Sequence, residues 1–255
     1  MDTISVNGID LAYIRRGHGD PLVLIHGFPF DHTSWNEVAP SLENRFDLIL
    51  PDLRGFGHST TVESSYTISD MAEDLASLLD HLEVKRTFMA GHSMGGYVAL
   101  AFAKKYPQRV SGLGLISSQA AADAPEGRER RYKTAADVNE IGVTVVVEAM
   151  TSKLSADARV QAYVRGVIEK QSKPAVIGAL KAMADREDLM STLSSFAFPI
   201  TLIHGDSDQL IPIERAKEIV SVKPSARLFE LKGAGHMPMM EFPRQVSDGL
   251  MHFMG

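Results

Sequence analysis

The sequence predicts an α/β protein built on a mostly parallel, doubly wound sheet with a helical insertion in its second half. Short apolar runs without alternation recur at residues 22–25, 48–50, 88–90, 110–116 and 200–203, the mark of strands covered on both faces. Patterns of helical period lie between these runs, as in a chain that alternates strand and helix. Residues 118–196 break the alternation, with four helical patterns and no strand between them. A chain of 255 residues, 44% apolar and 23% charged, accommodates one core and such an insertion.

The chain opens on a hairpin. Residues 4–6 and 9–13 flank Asn7-Gly8, a pair that takes the positive φ angles of a two-residue type I′ turn. A breaker-rich connection at 17–21 leads into the strands at 22–25 and 48–50. Ile68, Met71, Leu75, Leu78, Leu79 and Leu82 then fall at helical spacing behind Thr67, a suitable N-cap. The run at 88–90 precedes a helix over 97–106, which Pro107 stops. Inside the insertion, helical patterns cover 128–140, 143–154, 157–171 and 174–188, and 11 basic residues balance 11 acidic ones. The strands at 200–203 and 227–231 and a C-terminal helix return to the core pattern. The core is therefore expected at 1–117 and 197–255, with ligands outside the carboxyl ends of its strands.

Composition excludes several classes of function. The net charge of −6, from 26 basic and 32 acidic residues, supplies no basic surface for a phosphate backbone, so no nucleic-acid partner is expected. Without cysteine there are no thiol nucleophiles, thiolate metal sites, iron–sulfur clusters or disulfides. No run approaches the roughly 18 apolar residues of a membrane span, and the opening residues lack a signal-peptide pattern. A cytoplasmic protein, monomer or homodimer, is the expectation.

The sharpest chemical feature is Gly91-His92-Ser93-Met94-Gly95-Gly96. G-x-S-x-G is weak as a string, but here it sits between a strand-like run and a helix, the setting of a nucleophile elbow. In that turn the serine adopts strained backbone angles, small residues on either side relieve crowding, and the hydroxyl stands at a helix N-terminus. A serine needs a base, normally a histidine oriented by a carboxylate. Both should lie downstream if the chain order is serine, acid, histidine. His236, in Gly233-Ala234-Gly235-His236, follows the 227–231 strand and is the candidate base. The loop after 200–203 offers two carboxylates, Asp206 and Asp208; Asp208 is preferred, with Asp206 assigned to turn amides as an Asx residue. The backbone N–H of Met94 and that of Phe28, in His26-Gly27-Phe28-Pro29, are the candidate oxyanion donors.

With Asp52-Leu53-Arg54-Gly55-Phe56-Gly57-His58-Ser59 added, these motifs in this order resemble the α/β-hydrolase superfamily over essentially the whole chain. The resemblance implies a sheet of about eight strands, helices on both faces, and a helical cap at 118–196. It also implies that the 52–59 loop braces the floor of the site, with Asp52 and Arg54 structural. Haloalkane dehalogenases and epoxide hydrolases of this fold carry aspartate where this chain has Ser93, so serine-based acyl transfer on an ester or lactone is expected, with no cofactor and no metal. The elbow resembles carboxylesterases and monoacylglycerol-lipase-like enzymes. The size also resembles enol-lactonases and cofactor-free haloperoxidases with perhydrolase activity. Carbon–carbon hydrolases often have Asn at the position of His92, and some members are small-molecule receptors. His26, Gly27, Trp35, His92, Met150 and Met237 are the candidate substrate-pocket residues, with core packing the competing reading for Trp35, Met150 and Met237.

Overall fold

The computed structural model describes residues 1–252. Its centre is an eight-stranded sheet in the order β1-β2-β4-β3-β5-β6-β7-β8. The strands are β1 Asp2–Val6, β2 Ile9–Gly17, β3 Asp20–Ile25, β4 Phe46–Pro51, β5 Thr87–His92, β6 Val110–Ile116, β7 Ile200–Gly205 and β8 Arg227–Leu231. β2 is antiparallel to both its neighbours, β1 and β4, while β4, β3, β5, β6, β7 and β8 pair in parallel. The β1–β2 turn has Asn7 and Gly8 at φ 47° and 79°, the type I′ signature the sequence indicated.

The apolar runs occupy the central strands. Leu22, Val23, Leu24 and Ile25 are wholly buried, as are Leu48, Ile49, Met89 and Ala90, because helices cover both faces. Those helices are α1 Ala39–Leu42, α2 Ile68–His81, α3 Met94–Lys105, α8 Glu214–Val222, α9 Pro238–Glu241 and α10 Pro243–Met251. α2 begins with a reciprocal capping box: Thr67 Oγ1 accepts the Asp70 N–H at 3.1 Å, and the Asp70 carboxylate accepts the Thr67 N–H at 2.7 Å. Its buried stripe runs through Ile68, Met71, Leu75, Leu78 and Leu79.

Between β6 and β7 the chain forms α4 Pro125–Ile141, α5 Thr144–Leu154, α6 Ala158–Ile168 and α7 Lys173–Ala184, with no strand. The chain leaves β3 for β4 on one side and later returns to place β5 on the other. The carboxyl ends of β3 and β5 thus flank a topological switch point, where a crevice forms in sheets of this kind. His26-Gly27-Phe28 and Ser93 emerge there.

Candidate active site

Ser93 sits at φ 49°, ψ −114°, between the end of β5 and the first residue of α3. A non-glycine residue with positive φ is costly, and the surroundings explain how it is held. A Cβ on Gly91 would fall 2.2 Å from Gly95 backbone atoms, and one on Gly95 would fall 2.4 Å from the Ile25 carbonyl oxygen. Only glycine at both positions lets β5, the turn and α3 close this tightly. The Ser93 N–H donates to the Ile116 carbonyl at 2.9 Å, and Ser118 Oγ donates to the Ser93 carbonyl at 2.8 Å. Met94 opens α3, so its N–H belongs to the first-turn donors that lack an intrahelical acceptor.

His236 is held from three sides. Its Nδ1–H donates to Asp208 Oδ2 at 2.7 Å, its backbone N–H donates to the Leu154 carbonyl at 2.9 Å, and its carbonyl accepts the His92 Nε2–H at 2.8 Å. His92 is wholly buried, and burial drives its pKa well below the ordinary histidine value, so it stands as a neutral donor. Its Nδ1 faces Gly27, where an added Cβ would come within 2.4 Å.

Asp208 is buried, which opposes ionisation. The charge of His236, hydrogen bonds from His204 and His236, and the Ile211 N–H outweigh that burial and hold the carboxyl far below the usual range. Oδ1 accepts the Leu210 and Ile211 N–H groups at 2.8 and 3.0 Å. Asp208 itself therefore takes the turn amides expected for Asp206. Asp206 is exposed and its Oδ1 accepts the Gly233 N–H at 2.7 Å, joining the β7 and β8 loops.

Ser93, His236 and Phe28 line one cavity of about 470 Å³, roofed by α4, α5 and α7 through residues such as Met150, Leu180 and Met183. Asp208 stands behind His236. The cavity also meets Arg130, Arg131, Lys153 and Arg215 against Asp123 and Glu126, so basic side chains outnumber acidic ones there although the chain is acidic.

Of the six residues expected to form the substrate pocket, Met150 alone lines this cavity. The structure corrects the other five. Trp35 and Met237 are wholly buried in the core. His26 is spent on the loop backbone: Nδ1–H donates to the Gly27 carbonyl and Nε2 accepts the Leu53 N–H, both at 2.9 Å. Gly27 makes room for the His92 ring, and His92 braces His236 from below. The apolar or aromatic character that suggested a ligand wall serves packing instead.

Sequence reasoning missed three supports. His204 Nε2–H donates to the Ile211 carbonyl at 2.7 Å and lies 3.4 Å from Asp208 Oδ2; a histidine at the end of a buried apolar strand was the available signal. Glu241 accepts the Gly235 N–H at 2.7 Å and a hydrogen bond from Ser155. Leu154 contributes only a carbonyl, which no pattern reveals. In the 52–59 loop, Asp52 accepts the N–H groups of His32 and His58 and the His32 ring at 2.7 Å, and Arg54 pairs with buried Asp74 at 2.6 Å. His32, Asp52 and His58 also bring one possible metal-ligating atom each within 4.8 Å of one another, but these hydrogen bonds already engage the carboxylate.

The comparisons agree with this architecture. A family model described as the alpha/beta hydrolase fold matches residues 20–243. A thermophilic esterase from Thermogutta terrifontis, solved with malate bound, superposes with a TM-score of 0.93 at 34% identity, covering 99% of this chain and 96% of its own. A pimeloyl-[acyl-carrier protein] methyl ester esterase from Nitrosomonas europaea is 31% identical over 90% of this chain and 93% of its own length. An enol-lactonase from Burkholderia xenovorans LB400 shares the fold with a TM-score of 0.92 at 24% identity, covering 99% of both chains. No helix among the described residues is long and apolar enough to cross a membrane. By its family-wide match, its eight-stranded sheet and the motifs at the sheet's carboxyl edge, this chain belongs to the alpha/beta hydrolase fold family.

Proposed function

We propose that the protein is a serine carboxylesterase that cleaves esters of small or medium-sized substrates through an acyl-enzyme. The observation that carries the reading is the Asp208–His236 pair, 2.7 Å apart and buried, behind an imidazole that shares a cavity with the elbow serine. Esterase relatives at 34% and 31% identity support an ester as the substrate.

In this reading His236 Nε2 accepts the Ser93 hydroxyl proton as Oγ attacks the ester carbonyl, forming the C–O bond of a tetrahedral intermediate. Asp208 keeps the proton on Nδ1, which leaves Nε2 free as the base, and stabilises the imidazolium that results. The N–H groups of Met94 and Phe28 receive the oxyanion. Collapse breaks the bond to the alkoxide, which leaves with the proton from His236. Water, deprotonated by His236, then attacks the acyl-enzyme and releases the acid and Ser93. The groups are all side chains and backbone N–H of this chain.

Hydrolysis of p-nitrophenyl acetate and butyrate by the purified protein tests the proposal. Turnover that Ser93→Ala abolishes is the expected result. Stoichiometric ligand binding without turnover, or turnover that survives Ser93→Ala, overturns it.

A further inference from the structure

A second cavity, of about 410 Å³, lies farther along α3 toward its C-terminal end, where α2 and α3 meet the end of α7. Its apolar part comes from Ile68, Leu100, Ala101, Ala120 and Leu189, and Lys104, Lys105, Asp185, Arg186 and Glu187 also line it. Tyr97 and Gln119 are the two residues that line both cavities. Tyr97 lies one turn into α3, four residues after Ser93, and both line the first cavity. Helical side chains lean toward the N-terminus, which tilts Tyr97 toward the Ser93 end of α3. The ring is fixed in place: the Arg186 guanidinium stacks on it at 4.2 Å, and Arg186 is buried and paired with Asp123 at 2.8 Å. Asp123 in turn accepts Arg131 Nε–H at 2.5 Å.

We propose that Tyr97 is the end wall of the acyl-binding cavity and sets the longest acyl chain the protein accepts, with the apolar part of the cleft beyond it a closed-off distal subsite for alkyl groups. The proposal rests on the serine esterase reading, and it assigns the acyl group bonded to Ser93 Oγ to the part of the shared cavity that Tyr97 bounds. On this assignment the alcohol portion occupies the rest of the cavity and its length is not read by the ring. Removing the ring joins two spaces of similar size, and an alkyl chain then gains apolar burial in the second.

The test is the kcat/KM series for p-nitrophenyl esters from acetate to dodecanoate. In the native protein the values are expected to fall beyond a medium chain. Tyr97→Ala is expected to raise the dodecanoate-to-acetate ratio at least tenfold, and Tyr97→Leu, which keeps an apolar group in the wall, to raise it less. If Tyr97→Ala does not fold, Tyr97→Leu decides the matter. Adding Ala101→Trp fills the distal cleft and is expected to return the ratio to its native value. An unmoved ratio in the truncated variants, a gain that survives Ala101→Trp, or a length dependence that follows the alcohol in a series of alkyl acetates overturns the proposal. Acetate hydrolysis that Ser93→Ala removes, together with an unmoved ratio, overturns the wall alone; no ester hydrolysis at all overturns the esterase reading as well.

Discussion

The carboxyl edge of the sheet and the helices between β6 and β7 face each other across one cavity, yet they are built by opposite rules. At the sheet edge, geometry is set by backbone approaches that no side chain can relieve: Gly91 against Gly95, Gly95 against the Ile25 carbonyl, and Ser93 at positive φ. Its charged groups are buried and hydrogen-bonded, as in the Arg54–Asp74 pair and the Asp208 carboxylate on the His236 ring. Across the cavity, α4 buries only Ala135 and Val138 along its 17 residues. Two of its ion pairs, Arg128–Asp185 and Lys133–Asp137, are exposed and contribute little each, while its Arg131 shares the less exposed Asp123 with buried Arg186. The two halves are joined by hydrogen bonds such as His236 N–H to the Leu154 carbonyl, Arg159 to the Met240 carbonyl at 2.6 Å and Tyr66 to the Ala175 carbonyl at 3.2 Å. Reacting groups need positions fixed to fractions of an ångström, whereas a wall that admits a substrate needs shape and tolerates change.

That contrast can be broken by substitution. Its largest consequence is chemical: Ser93→Ala should lower kcat on p-nitrophenyl butyrate by about 10⁴-fold or more with the denaturation midpoint unchanged. Asp208→Asn should cost about 10⁴-fold by leaving His236 in the wrong tautomer. Asp206→Asn should leave kcat within about threefold of native, since Asp206 touches Gly233 and Ser207 rather than His236. A reversed order for the two aspartates would reassign the acid.

Glycines sharpen the comparison through stability. Gly95→Ala drives a Cβ to 2.4 Å from a backbone oxygen and should destabilise by about 3 kcal/mol in urea unfolding. Gly166, inside α6, has nothing within 4 Å of its would-be Cβ. Gly166→Ala should therefore stabilise, by roughly 0.5–1 kcal/mol. Opposite signs at two glycines are the signature of the two building rules.

Between these lies Asp52. Its carboxyl is buried, which opposes ionisation, but the His32 ring, the His26 field and two backbone N–H groups hold it at about 2. The folded value lies below the unfolded one, so this stabilisation is complete above about pH 4 and vanishes as pH falls through 2, a loss of about 2 kcal/mol. His32 is shifted the other way: burial lowers its pKa, the Asp52 hydrogen bond and charge outweigh it, and the net shift is upward. Its contribution is present at acid pH and fades as pH rises through the raised value. Unfolding free energies from pH 2 to 8 should show the acid limb flattened in Asp52→Asn; an unchanged acid limb would contradict the assignment.

Much of the frame was legible because it rests on local rules. Strands covered on both faces read as unbroken apolar runs, Asn7-Gly8 demanded its turn, and Thr67 with Asp70 capped α2. The helices of the 118–196 segment fell within a few residues of their predicted spans because their periodicity is local too. The supports of the site were not legible in this way. His204, Glu241 and the Leu154 carbonyl act through contacts between residues far apart in sequence, and Trp35 and Met237 carry the same apolar signature whether they face a ligand or a core.

By itself, then, the sequence determined the alternation of strand and helix, the glycines that let β5 turn sharply into α3, and the order in which serine, aspartate and histidine appear. Each follows from steric limits on a few neighbouring residues. Tertiary structure decided which groups meet: which carboxylate lies against His236, that His92 braces rather than lines the site, and that Tyr97 stands between two cavities. Those outcomes depend on the distances at which separate elements pack, which no run of adjacent residues encodes.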